Sequence, residues 1–173
     1  MSATHDPVRK IPIIDATPET FLPYGQVIEP RRVMGQFVNP NYRPWDNPAE
    51  AQVILDNGGV PRLWIMHLPR RGMSFTQMAR HRRVTQCLGS LGGKTWFLAV
   101  APPGDLADKG RPKLQDIVGI RVPGDKILKL GIGTWHAGPH FDHEECLFLN
   151  LENMDTREQD FHETDLGVTC EMA

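Results

Sequence analysis

The sequence predicts an all-β domain: a sandwich or barrel of short antiparallel strands with a few short peripheral helices. Three observations carry this. Of 173 residues, 16 are Gly and 15 are Pro, a turn-rich composition that suits many short strands better than long helices. From Pro61 onward, short apolar runs alternate with Gly and Pro, which is the pattern of an antiparallel sandwich or barrel. No repeat, linker or low-complexity tract divides the chain, so residues 1–173 read as one domain.

The elements follow in order. Thr17-Pro18 reads as a helix cap followed by Pro at the first helical position, so a short helix or turn through Phe21 is expected. Residues 24–29 read as a turn entering a strand. Residues 31–46 are rich in Pro and Asn and carry Tyr42 and Trp45. They read as an ordered loop over a pocket mouth, or as an ordinary surface loop. Asn47-Pro48-Ala49-Glu50 has the form of a capping box. It predicts a two-turn helix as far as Asp56, stopped by Asn57-Gly58-Gly59. Strands are expected over 62–68, 75–80, 85–88, 95–101, 116–122, 126–130 and 146–151. Gly92-Gly93 is placed as a hairpin turn would be. A polar helix is expected near 111–115 and a last turn near 156–161.

Composition excludes several classes. Lys plus Arg number 19 and Asp plus Glu 21, a net charge of −2, which argues against a strongly basic nucleic-acid binder. The hydrophobic fraction is 40% and the charged fraction 23%, values of a globular chain rather than a disordered one. No window is long and apolar enough for a transmembrane helix. The N-terminus has charges but no apolar core, so no secretory signal is read there. Cys87, Cys146 and Cys170 are odd in number and lack a C-x-x-C spacing. They are expected to be reduced, packed thiols of a cytoplasmic protein.

The stretch that carries chemistry is Ala79-Arg80-His81-Arg82-Arg83-Val84-Thr85-Gln86, followed by Gly93. Its partner is Gly131-Ile132-Gly133-Thr134-Trp135-His136. On a strand, side chains two apart share a face, so positions 79 and 81 point the same way. A turn at Arg82-Arg83 would bring Gln86 back to that face, and His136 would arrive from another strand. Strand alternation turns Arg80 away unless a bulge redirects it. His67 is expected in a core or hairpin role, and His5 and His162 on the surface.

These two stretches resemble the paired motifs of the cupin superfamily, and the resemblance implies a double-stranded β-helix, a jelly-roll barrel. Ala79 stands where the first motif has a His, His81 at its second His, Gln86 at its acid and Gly93 at its Gly. Gly131 replaces the Pro of the second motif, while Gly133 and His136 fit it. An amide is a poor ligand for a transition metal beside imidazole or carboxylate. No resident cofactor is therefore expected. A divalent metal stays open, held by His81, Gln86, His136 and His140, with His143 nearby.

The chain further resembles the ureidoglycolate lyase family. Four pieces carry this: Phe21-x-x-Tyr24-Gly25-x-Val27-Ile28-Glu29; Arg80-His81-x-x-x-Thr85-Gln86; the apolar run through Ala99-Val100-Ala101; and Gly133-Thr134-Trp135-His136 with Pro139, then Phe148-Leu149-Asn150-Leu151-Glu152. Family members usually place the Pro two residues after the Trp-His histidine, and here it is three after. The resemblance spans about residues 13–167, which it implies as the core of the domain, and residues 33–72 match poorly.

The resemblance implies cleavage of ureidoglycolate to glyoxylate and urea. In that scheme His136 is the base and His81 its acid partner or orienter, or the reverse. Gln86 matches a urea edge, and Glu152 bonds a urea nitrogen or holds a histidine tautomer. Arg80, Thr85, Lys94, Trp135 and Tyr42 are the expected substrate-binding residues, Thr85 by positioning a neighbour. Lys94, Lys129 or an arginine would meet the substrate carboxylate. Two other readings compete: a metal-dependent cupin lyase, hydrolase or isomerase acting on another small hydroxy or keto acid, and a non-enzymatic barrel that binds a small anion. The expected partners are a small anionic substrate and a second copy in a homodimer, with no nucleic acid or membrane.

Overall fold

A computed structural model describes residues 8–30, 50–55 and 58–173. The chain runs β1 (Arg9–Ile11), β2 (Ile13–Asp15), α1 (Pro18–Phe21), β3 (Gly25–Ile28), β4 (Pro61–Pro69), β5 (Ser74–His81), β6 (Gln86–Ser90) and β7 (Gly93–Ala101). A 3-10 turn at Leu114–Asp116 leads into β8 (Val118–Gly124). Then come β9 (Ile127–Leu130), β10 (Trp135–His140), β11 (Glu145–Asn153), α2 (Thr156–Gln159) and β12 (Phe161–Met172). The all-β, barrel-like fold is as expected.

The strands form two sheets. One has the order β1-β12-β5-β10-β7-β8-β2, the other β3-β9-β6-β11-β4. The main core lies between them. Leu98, Val100, Ile120 and Val122 of the first sheet meet Leu88, Leu128, Leu130 and Phe148 of the second. A second cluster, including Ala99, Ala101, Ile117 and Trp135, packs on the other side of the seven-stranded sheet. Alternation explains both: Val100 pairs with His136 on the inner face, and Ala101 with Trp135 on the outer.

Several expectations hold locally. Thr17 caps α1, with Thr20 N–H donating to its Oγ1 at 3.2 Å, and Pro18 opens the helix. All three cysteines are free and buried. Among the described residues no helix is long and apolar enough to cross a membrane.

Others are corrected. Residues 50–55 are not helical; Ile54 is tied instead to Thr85, through its N–H (2.9 Å) and its carbonyl (3.0 Å). The rest of that expected helix, and the loop with Tyr42 and Trp45, lie outside the described residues. Gly92-Gly93 is not a hairpin turn, because β6 and β7 belong to different sheets. The polar helix near 111–115 is the 3-10 turn. Strands β1, β2, β10 and β12 were not expected. The flanking strands also carry the fold past the expected core, to Arg9 at one end and Met172 at the other.

Candidate active site

Each functional side chain sits at the end of a strand. His81 closes β5 and Gln86 opens β6. The turn between them is held by Asp160, whose carboxylate accepts the N–H groups of Arg82 (2.8 Å), Arg83 (2.9 Å) and Val84 (3.2 Å). Gly133 donates its N–H to the His81 carbonyl at 2.6 Å, which ties the first motif to the second. Gly133 has φ +81°, and a Cβ there would lie 2.2 Å from Leu106 Cδ2, so the turn before His136 requires glycine. Thr134 Oγ1 donates to the Tyr24 carbonyl at 2.8 Å. The Phe21–Glu29 stretch thus braces the turn that presents His136.

His81 and His136 face each other with ring centroids 5.2 Å apart. His136 Nδ1 lies 3.1 Å from the Thr134 carbonyl. A carbonyl only accepts, so Nδ1 carries the proton and Nε2 keeps a free lone pair. Burial, and then the neighbouring His81, pull the His136 pKa down to about 3, against the bond to Thr134. Burial also lowers His81. There the charges of Asp160 and Glu152, and bonds to the Asp160 backbone and Gln86, push the other way. Both rings are therefore neutral in the resting site, and a proton shared by the pair is better held on His81. A base with a pKa near neutrality was expected, and enclosure overrides that for His136.

Beside the rings stands a row of amide and carboxylate groups, beginning with Gln86 against His81. Gln86 Nε2 donates to Asn150 Oδ1 (3.2 Å) and Glu152 Oε2 (3.1 Å). Glu152 Oε1 accepts from Arg62 (2.6 Å) and from Trp64 Nε1 (3.1 Å). Alternation along the paired strands β4 and β11 places Arg62, Trp64, Asn150 and Glu152 on one face. The rings and this row line a cavity of about 580 Å³, with Arg71, Phe161 and Glu163 along its side. The arrangement can take a proton from a hydroxyl at the paired imidazoles. It can also offer hydrogen-bond acceptors to a group rich in N–H.

Of the candidate metal donors, His81, Gln86 and His136 share the cavity, and His140 stands outside its lining. The His140 Nδ1 is bonded to the Gly72 carbonyl at 3.0 Å and its ring packs 5.7 Å from Phe75. Gln86 spends its Nε2 on Asn150 and Glu152. His143 meets the Thr95 carbonyl at 3.0 Å. Among the described residues no three His, Cys, Asp or Glu side chains gather as a metal site.

A family model described as Ureidoglycolate lyase matches residues 8–172. The chain belongs to the ureidoglycolate lyase family. No curated protein matches it. As a member of that family it is a lyase.

Of the residues that resemblance to the ureidoglycolate lyase family pointed to, His81, His136, Gln86 and Glu152 meet in one cavity. Four others do not line it. Arg80 is buried on the opposite face of β5. Its guanidinium donates to the carbonyls of Pro103 (2.8 Å), Asp105 (3.1 Å) and Asp108, and its Nε to His162 Nδ1 at 3.1 Å. Trp135 lies beneath it, 4.4 Å from the guanidinium carbon, so it is no cavity wall. Thr85 is spent on Ile54, a neighbour-positioning role rather than a substrate contact. Lys94 reaches the Glu145 carbonyl at 2.8 Å. Lys129, also considered for the carboxylate, bonds Gln26 at 2.7 Å. Tyr42 is outside the described residues.

The other histidines are displaced too. His67 is exposed on β4 and its Nε2 meets Glu145 at 2.8 Å. His162 is half-buried against Arg80 and Trp135. Sequence reasoning missed Arg62, Trp64, Arg71, Asn150, Asp160 and Glu163. The alternation of Arg62, Trp64, Met66 and Leu68 on one face of β4 was the available signal for the first two.

Proposed function

We propose that this chain removes urea from ureidoglycolate to give glyoxylate, as a carbon–nitrogen lyase in the degradation of allantoin and other purine-derived nitrogen compounds. The observation that carries the reading is the pair of facing imidazoles, His81 and His136, sharing one cavity with Gln86, Asn150 and Glu152. Family membership supports the same chemistry.

In this reading the ureido N–H groups lie on Glu152 and on the Asn150 and Gln86 carbonyls, all acceptors. Arg71 meets the substrate carboxylate: it lines the same cavity as His136, while Arg62 is already paired with Glu152 at 2.6 Å. The carbinol carbon then stands against the two rings. The imidazole pair takes the hydroxyl proton, with His81, whose protonated form Asp160 and Glu152 favour, as its holder. The O–H electron pair becomes the carbonyl π bond, and the C–N pair goes to the ureido nitrogen. That nitrogen takes a proton from the imidazole pair. The pair gains one proton and returns one, so it ends as it began, and nothing is oxidised or reduced.

The test is direct. Purified protein is incubated with ureidoglycolate, and glyoxylate and urea are measured together, with and without chelator. Equimolar release of both, lost in His136→Ala, is expected. No release above the spontaneous rate overturns the proposal.

A further inference from the structure

The seven-stranded sheet is parted beside His136. Among the described residues, β10 and β5 share one ladder pair, His136↔Ala79. The next bridge between these segments is Gly72↔Phe141. Between the two no ladder pair joins the strands. The register of β10 against β7 shifts between Ala137 and His140, where Pro139 has no N–H to give. The gap is a slot of about 340 Å³. It shares Arg71, His136, Gly138, Phe161 and Glu163 with the larger cavity, so His136 stands at the junction of two lobes.

The slot changes character along its length. Near His136 its walls are small or aromatic: Ala79, Ala137, Gly138 and Phe161. Farther along Ser74, Thr76 and Gln77 add polar groups beside Phe75. Arg71 supplies a cation and Glu163 an opposing carboxylate. His140 closes one wall, its Nδ1 on the Gly72 carbonyl and its Nε2 buried without a partner. Glyoxylate's acid arm is a bare carboxylate and leaves most of such a space empty.

We propose that the slot is an acid-side subsite, which extends the substrate class to carbinolureas of aldehyde acids longer than glyoxylate. It rests on the lyase reading above. The ureido group keeps its place on Glu152 and the carbinol carbon its place against His136. The added methylenes pass Ala79, Ala137 and Phe161, and the carboxylate reaches the Arg71 guanidinium and the hydroxyls of Ser74 and Thr76. The reaction is unchanged: the hydroxyl proton moves to the imidazole pair, the C–N bond breaks with its electrons on nitrogen, and an aldehyde acid and urea leave.

The experiment compares kcat/KM for the urea adduct of 4-oxobutanoate with that for ureidoglycolate, in the full chain and two variants. The unaltered protein is expected to cleave both. Gln77→Trp, which fills the slot, is expected to lower the ratio of long to short substrate by about tenfold or more. Glu163→Gln, which removes the opposing charge, is expected to raise that ratio severalfold. Cleavage of ureidoglycolate alone overturns the subsite and leaves the lyase reading standing. So does a ratio that neither variant moves. A ratio lowered by Glu163→Gln shows that the slot does not take an anion and overturns it too. Cleavage of neither adduct overturns the lyase reading, and the subsite with it.

Discussion

Asp160 holds the turn that leaves His81. One carboxylate oxygen accepts the Arg82 N–H at 2.8 Å, the other those of Arg83 and Val84 at 2.9 and 3.2 Å. Its charge also favours the protonated form of His81. Asp160 therefore fixes the place of one member of the imidazole pair and partly offsets the lowering of its proton affinity by burial.

Asp160→Asn tests this. An NH2 would replace an oxygen that now receives N–H donors, so the turn loosens. A fall in kcat/KM of about tenfold or more is expected, the cost of a lost charge-assisted bond near the chemistry. A merely structural role predicts no change in the shape of the pH profile. Loss of the charge beside His81 predicts an acid limb moved to lower pH. The profile on ureidoglycolate, with a melting curve to confirm folding, separates the two.

His136→Ala and His81→Ala are each expected to lower kcat on ureidoglycolate by roughly 10²–10⁴-fold, the usual share of general acid–base catalysis. The rings act as one unit, so the double variant should lose little more than the worse single one. Steady-state kinetics of the three proteins checks this. Near-normal rates in both folded single variants would eliminate the scheme.

Buried neutral histidines set how the protein responds to acid. His136 has a pKa of about 3 in the fold against 6.5 for a free imidazole. Between those values the unfolded chain binds a proton that the folded chain refuses, so stability rises with pH in that window. The contribution is complete above pH 6.5 and is lost as pH falls toward 3. His81, His140 and His162 are lowered as well and act in the same direction. Tm measured from pH 7 to pH 4 should fall steadily, and His136→Gln should flatten that slope. A Tm profile unaltered by His136→Gln would show that the ring is not held neutral.

How much of this was legible in the sequence depends on the range of the interaction. The two-residue period of a strand placed only neighbours such as Ala79 and His81; the meeting of His81 and Gln86 with His136 was legible through the resemblance to paired motifs, and the three do converge. The Thr17 cap, like that neighbour spacing, is local. Strand β10 was hidden because Gly138 and Pro139 read as a breaker, yet its irregularity is what opens the slot beside His136. Strand β12 was hidden because its outward residues are polar, so Asp160, just before it, passed unnoticed. Arg71, Glu163 and the Arg62–Glu152 pair depend on which distant strands become neighbours, and no local spacing encodes that. Lys94 and Lys129 were plausible by charge alone, and each is taken up elsewhere.

Glu152 receives three donors, from Arg62, Trp64 and Gln86. Glu152→Gln keeps the shape and removes the charge that, in the proposed reaction, receives the ureido N–H groups. KM for ureidoglycolate is expected to rise by about tenfold to a hundredfold, the range of a charged hydrogen bond. Inhibition by urea should weaken in parallel. A change in KM without a matching change in urea inhibition would place Glu152 away from the ureido end.

Arg80 separates a folding role from a binding role most sharply. It sits in the Arg80-His81 motif, and its side chain is buried on the far face, where it serves the carbonyls of Pro103, Asp105 and Asp108 and stacks on Trp135. Arg80→Ala would take the donors from those carbonyls, leave a void beneath the loop and remove the contact on Trp135. A loss of about 3 kcal/mol or more in unfolding free energy is expected. Arg71→Ala should do the opposite: stability is retained and KM rises by about tenfold or more through loss of the carboxylate contact. Denaturant melts and steady-state kinetics on the two variants give a crossed result if the assignments are right. If Arg80→Ala melts normally and raises KM, the guanidinium serves the substrate after all.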